Sequence, residues 1–462
     1  MRRKYIIGIL VILLLGGLCF LGMRGSVQSD PLKLRHAYFC ASPFYNRLGI
    51  NPTFNILKSV DEKQQPLPPL LCDVTCSNAL GYVQHYLHYT PQSKPMRREV
   101  VGKDTVNKRN VVLILMESMA YHNLDRTFQG EPLTPYLRSL RDSAITFSRC
   151  YSTGVHTNNG LTGTLFGYLP RFAQTTMPAQ AVRYAGLPSV LHDAGYSTMA
   201  FITGNPCYDN MSTAFLANGI NEIYSECDFP KEKRVNNFGV DDQYLFDWGI
   251  NHLNNRQDTT PFFALFLTVS NHGPVVVPDR YYLTGMSAEE AGVRFADDAL
   301  QSFMQRAEQT EWGKDAIYLL IGDHGAPDKN NSYDMCISHN HIACFLKTDL
   351  VPMPQQFNQV CSQTDMAPTI LSLMGLPYVN TGMGNDVFAL KKDYVLCVNN
   401  DHLGVVSDSL FYCYNTTTDT DYLYDLRTHS ELHDPNQKEQ MRLFGQDMMW
   451  VNISAVDSLW IY

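Results

Sequence analysis

The chain has 462 residues, 45% of them hydrophobic, and a net charge of −9, which suits one large α/β domain with additions or two domains. No long Lys/Arg run occurs beyond the extreme N-terminus, and with the acidic balance this argues against broad nucleic-acid binding. Acidity does not exclude an anionic phosphodiester substrate, because a bound metal can supply local positive charge.

Met1-Arg2-Arg3-Lys4 precedes an apolar run from Tyr5 to Leu21, within the roughly 17–25 residues that span a bilayer. The basic residues predict a cytoplasmic N-terminus with the rest of the chain outside the cytoplasmic membrane. A cleaved signal peptide is the rival reading. The length of the run and the lack of an Ala-x-Ala-like site favour an uncleaved anchor over residues 1–24. Residues 25–105 are broken by Pro52, Pro66, Pro68, Pro69, Pro91 and Pro95. They read as an extracytoplasmic connector with short helices over 54–58 and 82–86. An odd number of the 12 cysteines lies beyond Cys19, so at least one stays unpaired if all of these are outside. Cys72 and Cys76 are close enough to suggest a local disulfide, and Cys150 and Cys344 have the apolar neighbours of buried thiols. The lack of paired Cys-x2-Cys sets argues against a structural zinc.

From residue 106 strands alternate with helical stretches. Val111 to Met116 is an uninterrupted apolar run that leads into Glu117, the pattern of a parallel strand covered on both faces. A carboxylate at such a strand end costs desolvation unless a cation meets it; capping of a following helix is the alternative. Phe147 to Leu161 predicts a β-like segment, a turn of small residues and a helix start near Thr157. The free N–H groups there favour an anion, and a Thr hydroxyl can bind a metal, lose its proton and attack phosphorus; an ordinary N-cap is the alternative. A helix over 187–195 precedes a strand over 197–202 and the loop that carries Asn205 and Tyr208. The strand 262–269 precedes His272, and a helix over 298–307 precedes the strand 316–320. That last strand leads into Ile321-Gly322-Asp323-His324-Gly325, which sets a carboxylate beside an imidazole at a strand's carboxyl end, where open α/β sheets bind ligands. The alternation predicts an α/β fold with a mainly parallel central sheet and helices on both faces. Three short strands between 394 and 414, then a helix over 437–450, predict a small antiparallel C-terminal subdomain. The expected divisions are 1–24, 25–105, a catalytic domain over 106–392, and 393–462.

In order along the chain, Glu117, Thr134-Pro135-Tyr136-Leu137, Thr157, Leu165 to Pro170, Ser270-Asn271-His272-Gly273-Pro274, Val293 to Leu300, Asp323-His324 and His339-Asn340-His341-Ile342 resemble the lipoteichoic acid synthase branch of the alkaline phosphatase/sulfatase superfamily. Thr364 to Leu371 resembles a helix common in sulfatase-like domains. The resemblance covers roughly residues 100–395. It implies one divalent ion, Mn²⁺ or Mg²⁺, held by Glu117, Thr157, Asp323 and His324, with Thr157 as nucleophile. It implies a phospholipid donor, loss of diacylglycerol and transfer of a glycerophosphoryl group to an envelope glycan or lipid-linked acceptor. His272 would face the reacting oxygens, and Asn205, Tyr208 and His341 would contact substrate. His339 and His122 read as structural or solvent-side, and His156 as the possible exception because it adjoins Thr157.

The sequence departs from the branch's pattern in one place. No arginine occupies the loop after Ile202, where Ser212 and Thr213 stand instead, and hydroxyls do not reproduce a bidentate arginine clamp on phosphate; Arg234 is the nearest substitute in sequence. A phosphoethanolamine transferase or phosphodiesterase is the alternative within the superfamily. A sulfatase is disfavoured, because no Cys/Ser-x-Pro-x-Arg context surrounds Thr157. A non-catalytic lipid- or glycan-binding domain is the alternative outside enzymes, and the intact set Glu117, Thr157, Asp323 and His324 speaks against it.

Overall fold

The computed structural model describes residues 2–25, 48–49, 67–90, 94–175, 177–178, 182–283, 285–328 and 330–457. The chain divides into two units, one holding residues 1–64 with 179–181 and one holding the rest. In the first unit, Arg2–Arg24 is a helix whose stretch Lys4–Gly22 is long and apolar enough to cross a membrane and is nowhere buried. The same features suit a membrane anchor or a signal sequence. The helix expected over 54–58 lies outside the described residues.

In the second unit, the central sheet has eight strands. In chain order they are β1 (Val111–Met116), β2 (Ile145–Phe147), β3 (Ser197–Ile202), β4 (Glu222–Tyr224), β5 (Phe262–Leu267), β6 (Ile317–Gly322), β7 (Cys344–Lys347) and β8 (Gln355–Phe357). Across the sheet they run β8-β2-β7-β6-β1-β5-β3-β4. β7 alone opposes its neighbours; the other pairings are parallel. Alternate residues of the middle strands feed two separate cores. Val111, Leu113, Leu115, Phe263, Leu265, Ile317, Leu319 and Ile321 pack on one face. Val112, Ile114, Met116, Phe262, Phe266, Tyr318 and Leu320 pack on the other. Burial on both faces is why these strands read as unbroken apolar runs. The second core also receives Leu245 and Phe246 of the helix Asp242–Asn254 and Val293, Leu300 and Phe303 of the helix Ala288–Ala307. Asp297 on the latter accepts hydrogen bonds from the backbone N–H groups of Tyr136 and Leu137, both at 2.8 Å. It thereby caps the short helix Pro135–Ser139. Burial pushes its carboxyl up to about 7.

The C-terminal part is a five-stranded antiparallel meander from Val395 to Glu431, followed by the helix Pro435–Asp457. Leu396, Val398, Leu403, Val405, Met441, Phe444 and Met448 belong to the same core as Leu113 and Leu115. Among the described residues of the stretch read as a connector, several of those from 70 onward pack into this core too. Leu71, Ala79 and Val83 are buried in it, the Tyr86 ring meets Phe444 at 4.8 Å, and Arg98–Val100 pairs with Tyr378–Asn380. The expected disulfide is corrected: Cys72 and Cys76 are free and exposed thiols, and Cys150, Cys344, Cys361, Cys397 and Cys413 are free and buried.

Candidate metal centre and nucleophile

β1 and β6 are parallel neighbours with Met116 opposite Gly322. The next residue of each strand, Glu117 and Asp323, therefore leaves the sheet at the same edge. Ser118, at φ 52°, turns the chain so that its N–H donates to Asp323 Oδ1 at 2.8 Å and its hydroxyl to Glu117 Oε1 at 2.8 Å. The Glu117 N–H donates to Thr268 Oγ1 at 2.9 Å. Asn271, beyond β5, donates through Nδ2 to the Glu117 and Ser118 carbonyls, each at 3.3 Å.

His324 completes the group. Its Nε2 lies 3.6 Å from Asp323 Oδ2 and 3.8 Å from Glu117 Oε1. Its Nδ1 lies 2.8 Å from the Gly325 carbonyl oxygen. A carbonyl only accepts, so Nδ1 carries a proton; in the neutral ring Nε2 then turns a lone pair toward two carboxylates. Asp323 Oδ2 is buried without a hydrogen-bond partner. Burial, and then the Asp323 charge, hold the Glu117 carboxyl well above its usual range. Ligand atoms of Glu117, Asp323 and His324 lie within 4.8 Å of one another. Two converging carboxylates and an imidazole lone pair repel each other as they stand, and one divalent cation among them satisfies all three, so the residues fit a metal.

Thr157 meets this group through its side chain. It is the first residue of the helix Thr157–Phe166, and His156 is the N-cap. The Thr157 hydroxyl lies 3.3 Å from Glu117 Oε2, so it faces the carboxylates rather than capping its own helix. Close approach requires Gly160, where a Cβ would sit 2.4 Å from the Asp323 carbonyl oxygen.

The other expected site residues fall into separate places. His272 follows β5 one residue beyond Asn271. Its ring lies 4.1 Å from Phe238, which in turn lies 6.3 Å from Tyr208. Tyr208 is 52% exposed, so three rings run from solvent toward the Glu117 edge. Asn205 is exposed and its Oδ1 accepts from the Cys207 N–H at 2.8 Å, within its own loop. That loop touches the helix of Thr157 where Asn158 Nδ2 donates to Asp209 Oδ2 at 3.3 Å. Arg234 is committed elsewhere, to Glu226 at 3.4 Å and to its carbonyl at 3.0 Å. His341 is not brought to the carboxylates. It is stacked between Tyr121 and Tyr151 at 4.6 and 5.0 Å, and its Nε2 donates to the Ser148 carbonyl at 2.9 Å. Burial pushes its pKa down to about 4.

Two histidines set aside in the sequence stand near the centre. The His339 ring lies 5.5 Å from His324, and burial and then His324 push its pKa down to about 4. His156 Nε2 lies 2.9 Å from Oδ1 of Asn400, at the turn between the first two strands of the C-terminal sheet. Asn271 stood within a motif of the resemblance without a role, and Ser118, Gly160 and Asn400 carried no sequence signal of their own, because each acts through backbone geometry or a partner far away in the chain.

The Sulfatase family matches residues 109–376. Lipoteichoic acid synthase of Staphylococcus saprophyticus subsp. saprophyticus is 25% identical over 350 residues, covering 67% of this chain and 51% of that protein. The enzyme of the same name from Staphylococcus aureus (strain USA300) is 23% identical over 345 residues, covering 68% and 52%. The chain thus spans about half the length of these relatives. Among solved structures, an alkaline phosphatase superfamily protein from Vibrio parahaemolyticus superposes with a TM-score of 0.76 at 21% identity, covering 85% of this chain and 98% of the other. The lipoteichoic acid synthase LtaP from Listeria monocytogenes gives 0.67 at 16% identity, covering 82% and 98%. These superpositions concern the fold.

Proposed function

The chain belongs to the Sulfatase family, and from that premise we propose that it is a metal-dependent phosphotransferase that moves a glycerophosphoryl group from a phospholipid to an acceptor hydroxyl through Thr157. The observation that carries this reading is the Thr157 hydroxyl, 3.3 Å from a Glu117 carboxylate that is clustered with Asp323 and His324. Glu117, Thr157, Asp323 and His324 would hold one Mn²⁺ or Mg²⁺. Bound there, the ion supplies charge that favours the Thr157 alkoxide and neutralises the phosphoryl oxygens.

The Thr157 hydroxyl loses its proton to water, its Oγ attacks phosphorus, an Oγ–P bond forms, and the P–O bond to diacylglycerol breaks. His272 gives the leaving oxygen its proton. An acceptor hydroxyl of an envelope glycan or a lipid-linked glycan then loses its proton to His272 and attacks the same phosphorus, the Oγ–P bond breaks, and the Thr157 oxygen takes back a proton from water. Asn205 and Tyr208 would contact the donor. Lys4–Gly22 would hold the chain in the cytoplasmic membrane, with the site on its outer side. A phosphoethanolamine donor is the second reading, favoured by the lack of arginine in the loop 203–213 and by Arg234 pairing with Glu226.

Intact mass after incubation with Mn²⁺ and either phosphatidylglycerol or phosphatidylethanolamine tests the proposal. A glycerophosphoryl adduct on the wild type that is absent from Thr157→Ala is the expected result. A phosphoethanolamine adduct instead selects the second reading. Bound metal with no adduct and no lipid turnover from either donor would sink both.

A further inference from the structure

Gln363 lies between the strand Cys361–Ser362 and the helix Met366–Met374, and its side chain has no solvent exposure. Its Nε2 donates to the carbonyl oxygens of Gly322 and Asp323, at 2.9 and 2.8 Å. Its Oε1 accepts from the Thr153 N–H at 2.9 Å. The amide cannot be turned over, because its oxygen would then face two carbonyl oxygens. Thr153 in turn donates its hydroxyl to the Asn159 carbonyl at 2.9 Å, inside the first turn of the helix that begins at Thr157. One buried amide thus joins the two backbone segments that bear Asp323 and Thr157. The helix comes close enough for this only because of its glycines: a Cβ at Gly163 would lie 3.1 Å from Gln363 Oε1 and one at Gly160 would strike Asp323.

We infer that Gln363 is a positioning residue that sets the separation between the nucleophile Thr157 and the metal ligand Asp323. This rests on the reading of Glu117, Thr157, Asp323 and His324 as one centre. Gln363 touches neither metal nor substrate. Its effect runs through the Asp323 backbone on one side and the Thr153 turn on the other, as partners behind first ligands commonly tune a metal.

The test uses the full chain in detergent, as wild type, Gln363→Met (similar length, no polar atoms) and Gln363→Glu (keeps an acceptor for Thr153). Mn²⁺ affinity is measured by calorimetry, thermal unfolding without metal reports folding, and kcat and KM are separated for lipid turnover. The expected result is a folded variant that binds Mn²⁺ about 10–100-fold more weakly, with kcat lowered and KM kept. If Gln363→Met does not fold, Gln363→Glu decides. A folded variant with wild-type Mn²⁺ affinity overturns the inference, even where its melting temperature falls, because that is the signature of a merely structural amide. A wild type that binds no divalent ion overturns the reading of the centre, and this inference with it.

Discussion

Single residues divide here by whether their chemistry is visible in their own letter. Glu117, Asp323 and His324 could be picked out because a polar group at the end of an unbroken apolar run is costly and so informative. Thr157 needed the resemblance, since a Thr at a helix start is commonplace. The resemblance implies that His341 contacts substrate, and its buried ring fills a slot between Tyr121 and Tyr151. His341→Phe should therefore leave Mn²⁺ affinity and turnover unchanged. It should also alter the acid stability. His341 holds a pKa of about 4 in the fold against 6.5 in the unfolded chain, so the unfolded state binds the extra proton between these values. Stability is full above pH 6.5 and falls as pH drops toward 4, by at most about 3 kcal/mol. Thermal melts across that range should show a smaller acid loss in the variant. Equal losses in both proteins would refute the assignment.

Whole elements were the most legible level. The strands β1 and β5 are apolar from end to end and β6 nearly so, and residues facing both cores leave no other choice at that length. What the sequence hid is the distance between elements. The helix Thr157–Phe166 contains Gly160 and Gly163, which as helix residues are weak formers and carry no sign of what they approach. In the fold they let the helix lie against the end of β6. Gly160→Ala places a methyl group 2.4 Å from the Asp323 carbonyl oxygen, and overpacking of this kind costs about 1–3 kcal/mol. Calorimetric unfolding should register that loss together with weakened Mn²⁺ binding. An unchanged affinity would mean that the helix can shift without disturbing the ligands. The resemblance of Thr364 to Leu371 to a sulfatase-like helix stops one residue short of Gln363, which went unnoticed because its partners are Thr153 and Gly322, far off in sequence.

At the scale of the molecule, the proline-rich stretch before residue 105 gave too little periodicity to reveal how much of it is packed. Leu71, Val83 and Tyr86 meet Phe444 and its neighbours, so a segment near the start of this unit and one near its end complete the same core. The antiparallel sheet was legible in the short strands after 394, but its shared core with the central sheet was not. A chain ending at residue 392 would expose Leu113's side of the core where Phe444, Met441 and Leu403 now lie, and it should fail to give a cooperative melt. A well-folded truncated chain would show the meander to be dispensable.

The five cysteines that are buried and uncrosslinked among the described residues also make the protein its own clock. A thiol reagent reaches a buried sulfur only when the surrounding structure opens. Cys150, Cys344 and Cys361 sit in strands beside the nucleophile turn and the central sheet, while Cys397 and Cys413 sit in the meander. Modification rates read cysteine by cysteine would therefore time the breathing of the region around the site and of the meander separately, without an added label. A divalent ion should slow the first group most, for the strand of Cys150 leads toward Thr157, Cys344 pairs with Ile321 just before Asp323, and the strand of Cys361 leads into Gln363.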